Sequence, residues 1–185
     1  VKIDYYIFDF DGTAVDTIGA VCKTYNKLYK DHPCFIPADP TQVCDYSFRD
    51  QCPLINDIQD IFGSQLFFDN LEPMRGALRV LKALSAKHKT MICTQGHNPN
   101  IALKSIYIEN TFKFVQDVIY VNAENKRMIN MENCIFFDDH IKNLTTCNAR
   151  LPVAFGDIYP WNVEWTGHRI PDWAVVESFI SELLV

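Results

Sequence analysis

Short, nearly continuous apolar runs recur along this chain: IDYYIFD (3–9), TMICT (90–94), DVIYV (117–121) and NCIFFDD (133–139), with LPVAF (151–155) as a fifth. None alternates apolar with polar residues as a half-buried strand does. Each therefore reads as a strand covered on both faces, the condition of a parallel sheet in an α/β layer fold. Helical patterns lie between them. RGALRVLKALSAKH (75–88) puts Ala77, Leu78, Leu81 and Leu84 on one stripe, and NIALKSIYIENTF (100–112) repeats Ile101, Lys104/Ser105 and Ile108 less cleanly. A last helix is expected to begin near Asp172, after Pro171. Alternating strand and helix implies right-handed crossovers, so the expected fold class is α/β with a parallel sheet flanked by helices.

One stretch breaks the rhythm. Between Thr13 and Arg75 about sixty residues stand where a strand-to-helix loop takes a handful, and they carry Pro33, Pro37, Pro40 and Pro53 with helix-like pieces between. An insertion of that size is a subdomain, which divides the chain into a core of residues 1–13 and 75–185 and an inserted unit of residues 14–74. The whole, 185 residues with 48% hydrophobic content, suits one compact domain and a small appendage.

Composition narrows the partners. A formal net charge of −6 argues against a nucleic-acid polymer or an anionic membrane as the main ligand, and no apolar run approaches the ~18 residues of a membrane span. Seven cysteines (Cys22, Cys34, Cys44, Cys52, Cys93, Cys134, Cys147) form an odd set without a CxxC pair. Neither a disulfide framework nor a zinc knuckle is indicated, and a reducing cytoplasm is the expected location. Cys93 and Cys134 lie inside apolar runs and read as small hydrophobes. A secretory leader pattern is not seen, and His88 and His168 read as surface or loop residues.

Ligands of an open parallel sheet collect beyond the carboxyl ends of its strands. Asp9, Thr94 and the pair Asp138–Asp139 all stand at such ends. A plainer reading makes Asp9 and Asp11 a turn and helix cap before a helix near Val15, with Gly12 allowing the bend. It leaves the second acidic pair unexplained. Clustered carboxylates repel one another and need a cation, and all-oxygen ligation selects a hard ion, with Mg²⁺ the usual choice beside a phosphate. Lys126, in NAENKRMI, is placed to offset the remaining charge.

DFDGT, the strand-end Thr in MICT, the spaced Lys126 and the DD pair resemble, in order, the four motifs of the haloacid dehalogenase superfamily. The resemblance implies a Rossmann-like core with a small, mainly helical cap inserted after the first motif. By motif, Asp9 would be the nucleophile and Asp11 the general acid and base. Thr94, Gln95 and Lys126 would bind the phosphate. Mg²⁺ would be held by Asp9, the carbonyl of Asp11 and Asp139, with Asp138 in support. An acid at position 11 favours phosphate esters, because a departing halide needs no proton.

SQLFFDNLEPMRGALRVLKAL (64–84), ENK around Lys126, FFDD and PDWAVVESFI are similar to segments of the 5′(3′)-deoxyribonucleotidases. That resemblance implies a small-molecule substrate, a nucleoside monophosphate, bound by a monomer or homodimer. Tyr46, Phe48, Phe67 and Phe68 would give the base an aromatic wall, and Arg49 either reads a base edge or solvates a helix. The chain departs from the family at Gln95-Gly96-His97, at His140 and at Ser47. Base preference and the choice between 5′ and 3′ phosphate stay open there. So do two alternatives: a phosphatase for another small ester, such as a sugar phosphate or phosphoglycolate, and a non-catalytic nucleotide-binding protein of the same fold.

Overall fold

The computed structural model describes residues 2–122 and 126–183. Glu124 and Asn125 of the ENK segment lie outside the described residues. In chain order the elements are β1 (Tyr5–Phe8), α1 (Thr17–Tyr29), α2 (Ile58–Phe62), α3 (Gln65–Asn70), α4 (Ala77–Ser85), β2 (Thr90–Gln95) and α5 (Asn98–Thr111). Then follow β3 (Asp117–Val121), β4 (Cys134–Asp138), α6 (Ile141–Thr146), β5 (Leu151–Phe155), β6 (His168–Ile170) and α7 (Val176–Leu183).

All strands are parallel and run in the order β3-β2-β1-β4-β5-β6. This is a Rossmann-like sheet. The direction of winding reverses between β1 and β4, so their loops part there and leave a crevice at the carboxyl ends. Register fixes what faces that crevice. Phe8 pairs with Phe137, and the Asp9 amide donates to the Phe137 carbonyl at 2.8 Å, which sets Asp9 beside Asp138.

Successive strand residues feed two apolar clusters on opposite sheet faces. Tyr6, Phe8, Ile92, Ile135, Phe137, Val153 and Phe155 join the larger one, while Ile7, Cys93, Cys134, Phe136 and Ala154 join the smaller. Double-sided burial is why these runs do not alternate. At the centre of the larger cluster Phe8 stacks on Phe137, with ring centroids 4.5 Å apart. Trp173 packs 5.0 Å from both Phe8 and Phe155, and its indole N–H donates to the Thr13 carbonyl at 2.8 Å.

Several elements differ from their sequence expectations. A sixth strand, β6, was not expected; it is three residues long, begins with exposed His168 and offers too short a pattern to read. On α4 the buried face is Ala77, Val80, Leu81 and Leu84, whereas Leu78 is exposed. The last helix starts at Val176 and not near Asp172, because the Asp172 side chain accepts the Ala174 N–H at 2.7 Å and turns the chain so that Trp173 can enter the core. Asp9 and Asp11 cap nothing: the N-cap of α1 is Asp16, which accepts the Gly19 N–H at 2.9 Å.

Because Trp173 is fully buried and bridges the sheet to the loop after β1, Trp173→Ala is expected to cost about 3–5 kcal/mol, measured by urea denaturation.

Candidate active site

Past β1 the chain turns sharply. Ala14 and Val15 both donate to the Phe10 carbonyl, at 2.9 and 3.1 Å, and Met74 donates to the Ala14 carbonyl at 2.9 Å. Gly12 makes this possible. Its φ is +70°, and a Cβ there would lie 2.6 Å from Asp139 Oδ2 and 2.8 Å from the Tyr46 hydroxyl. The turn holds Asp9 and Asp11 at the same rim that receives Asp138 and Asp139 from β4.

Asp9, Asp138 and Asp139 are buried, and one oxygen from each lies within 4.8 Å of the others. The ammonium of fully buried Lys126 bonds Asp9 Oδ1, and bonds Asp138 Oδ2 at 2.7 Å. Burial opposes the charge on Lys126, but Asp138 and Asp9 more than offset it and hold the amine above the ordinary lysine range. Burial also raises the Asp139 carboxyl, to about 7, with the neighbouring Asp138 charge adding to the effect. Asp9 is raised in the same direction, again chiefly by burial.

The acids have different surroundings. Asp138 accepts from Lys126, from the Asn143 amide at 3.0 and 3.2 Å and from the His140 N–H at 2.8 Å, so both its oxygens are engaged. Asp139 Oδ2 accepts from the Tyr46 hydroxyl at 2.8 Å and the Trp161 indole at 3.0 Å. Burial first, and then the Asp139 charge, lifts the Tyr46 phenol well above its usual value and keeps it a donor. Among the described residues no hydrogen-bond donor reaches Asp9 Oδ2 or Asp139 Oδ1. These two oxygens belong to an all-carboxylate group, which fits a hard divalent cation.

Asp11 lines the same rim in a separate hydrogen-bonded set. Lys104, on α5, donates from its Nζ to Asp11 Oδ2 at 2.6 Å, to Thr94 Oγ1 at 3.0 Å and to the Gln95 carbonyl at 3.0 Å. The Thr17 hydroxyl reaches the other Asp11 oxygen at 3.0 Å. Lys104 lines the cavity, a placement that the sequence reading missed. Its signal was the weak stripe of α5: the helix turns Asn100, Lys104 and Ile108 inward, and a lysine among them blurs the apolar pattern.

Asp9, Asp11, Tyr46, Gln95, Lys126 and Asp139 all line one cavity of about 450 Å³, a size suited to a small ligand. Lys104 lines it too, with Asn122 and His140 on the core side and Ile58, Gln59 and Phe62 from α2 opposite. Thr94 is fully buried behind Lys104, and Asp138 lies below its neighbours. Of the expected aromatic wall, Tyr46 lines the cavity. Phe48, Phe67 and Phe68 are buried in the large apolar cluster and do not line the cavity, and Arg49 is exposed away from it. Phe67 stands edge-on to Phe62 at 5.3 Å, so it supports the wall from behind while Phe62 faces the space.

A family model described as 5′ nucleotidase, deoxy (Pyrimidine), cytosolic type C protein matches residues 3–184. The chain belongs to this family. It is a hydrolase of the phosphatase and nucleotidase kind. No curated protein sequence matches it. Among solved structures, a haloacid dehalogenase-like hydrolase from Streptococcus pneumoniae is similar over 96% of this chain and 98% of its own, with TM-score 0.65 and 14% identity. A subfamily IA hydrolase of the superfamily from Geobacter sulfurreducens matches over 96% and 100% of the two chains, with TM-score 0.63 and 13% identity. CbbY from Rhodobacter sphaeroides, solved in complex with phosphate, matches over 94% and 96%, with TM-score 0.58 and 13% identity. At these identities the likeness is one of fold.

Two outcomes follow from the acidic cluster. A folded-state Asp139 value near 7 against an unfolded 3.8 means that, in the metal-free protein, this group's contribution to stability is fully present below the unfolded value and is lost as pH rises through about 7. Chemical denaturation in chelator should therefore give lower stability at about pH 8 than at about pH 5, and Asp139→Asn should flatten the difference. Lys126→Met, which strips the only ammonium bonded to Asp9 and Asp138 among the described residues, should cost about 3–5 kcal/mol at neutral pH, read from the same experiment.

Proposed function

We propose that the protein is a Mg²⁺-dependent phosphatase of nucleoside monophosphates, with pyrimidine deoxynucleotides its preferred substrates and the cytoplasm its place of action. The observation that carries this reading is the meeting of Asp9, Asp11, Lys126 and Asp139 around one cavity at the switch point of the sheet.

Asp9 attacks phosphorus with a carboxylate oxygen and forms an aspartyl-phosphate while the ester bond breaks. Asp11 gives its proton to the departing sugar oxygen, then takes one from the water that cleaves the acyl-phosphate. Lys126 holds the nucleophile in place and offsets the phosphoryl charge, and Gln95 borders the phosphate, while Thr94 stands behind the cavity wall and acts through its bond to Lys104. Asp9 Oδ2, Asp139 Oδ1 and the Asp11 carbonyl would hold the cation, with Asp138 supporting through Lys126 and Asn143. When bound, Mg²⁺ supplies charge neutralisation at the acids and the phosphoryl oxygens.

Residues 14–74 act as the cap. Their contribution to the cavity, Tyr46, Ile58, Gln59 and Phe62, offers an apolar and aromatic face with one amide, which suits a nucleobase better than a short sugar chain. The Tyr46 bond to Asp139 ties this segment to the acidic cluster.

Phosphate release should be measured across the eight common ribo- and deoxyribonucleoside monophosphates, with and without chelator. Turnover is expected to be highest with pyrimidine deoxynucleotides and to vanish in chelator. Equal turnover of dUMP and simple sugar phosphates would remove the nucleotide assignment and favour the other small esters. Asp9→Asn should abolish release while leaving the circular dichroism unchanged; a variant that still turns over refutes the nucleophile.

A further inference from the structure

Lys104 is 1% exposed and lies on a helix, yet its ammonium stands at the catalytic rim. Its three N–H groups meet three acceptors: Asp11 Oδ2 at 2.6 Å, Thr94 Oγ1 at 3.0 Å and the Gln95 carbonyl at 3.0 Å. The Phe10 ring lies 5.2 Å away and packs against the same ammonium. A methionine would fill the same space without the cost of burying an ammonium, so packing does not explain this residue.

What the three bonds accomplish is geometric. Asp11 comes from the loop after β1 and Thr94 from the end of β2, and among the described residues no direct bond joins their side chains. Lys104 is the link between them. With Thr17 holding Asp11 Oδ1 and Lys104 holding Asp11 Oδ2, the carboxyl plane of Asp11 is fixed from both sides.

We propose that Lys104 is a positioning residue that ties Asp11 to the end of β2 at the cavity rim, so that the leaving oxygen of a bound phosphomonoester meets Asp11 while its phosphorus faces Asp9. The proposal rests on the phosphatase reading above. In the step concerned, the Asp9–phosphorus bond forms and the phosphorus–ester oxygen bond breaks. The electron pair stays on the ester oxygen, which takes the proton carried by Asp11, and Lys104 gains and loses nothing.

Leaving groups separate this role from a structural one. A sugar alkoxide needs the proton of Asp11, whereas p-nitrophenolate departs without it. Lys104→Met is therefore expected to lower kcat/KM, which reports the steps up to release of the leaving group, about 100-fold for dUMP and less than about 10-fold for p-nitrophenyl phosphate, the same asymmetry as Asp11→Asn. Since Lys104 acts through Asp11, the double variant should be no slower on dUMP than Asp11→Asn alone. Circular dichroism checks the fold, and Lys104→Gln, which retains an amide donor, carries the same comparison if the methionine variant unfolds. Equal losses on both esters, or a double variant slower than Asp11→Asn by the full Lys104 factor, overturn the role of Lys104. A wild-type protein inert toward both esters would instead refute the phosphatase reading.

Discussion

The site depends on one buried ammonium. Lys126 lies between Asp9, delivered by β1, and Asp138, delivered by β4, at the place where the sheet reverses its winding. Without a cation there, the third acid, Asp139, would make the rim intolerably negative in a medium that screens little. Lys126 does not neutralise the cluster fully. Burial first, and then the Asp138 charge, keeps the Asp139 carboxyl raised, and a divalent cation is the natural means of offsetting the negative charge there.

The rest of the fold serves that convergence in layers. Parallel pairing of β1 with β4 fixes the register of the two acidic loops, and the stacked Phe8 and Phe137 rings lock that pairing from below. Asn143 and His140 from the start of α6 then saturate Asp138, which frees its neighbour Asp139 to turn outward. Tyr46 and Trp161 grip one Asp139 oxygen and leave the other open. A second cation, Lys104, performs the analogous task for the ends of β1 and β2.

Much of this was legible in the chain itself, for physical reasons. Runs such as NCIFFDD and LPVAF occupy their expected positions as β4 and β5 because burial on both faces leaves little freedom in composition. Asp9, Asp11 and Asp139 reach the cavity because carboxylates at strand ends have few other places to go. Side-chain direction was the hidden quantity. Phe48, Phe67 and Phe68 look as suitable for stacking on a base as Phe62, yet only packing decides which ring faces the cavity and which support it. Lys104 was hidden for the opposite reason, since a lysine in an amphipathic helix ordinarily marks the solvated side. Asn143, Asn162 and Trp161 act through polar contacts with no sequence spacing of their own; Asn162, for instance, donates to the Asp139 carbonyl at 2.9 Å.

The bond from the Trp173 indole to the Thr13 carbonyl spans 160 positions of chain. The loop that presents Asp9 and Asp11 is thus buttressed by residues synthesised long after it. During vectorial synthesis the first strand must wait, with its acidic loop unsupported, until the far tryptophan has left the ribosome. Contacts of such separation form late and at high entropic cost, so competence arrives in one final closure and does not accumulate gradually along the growing chain.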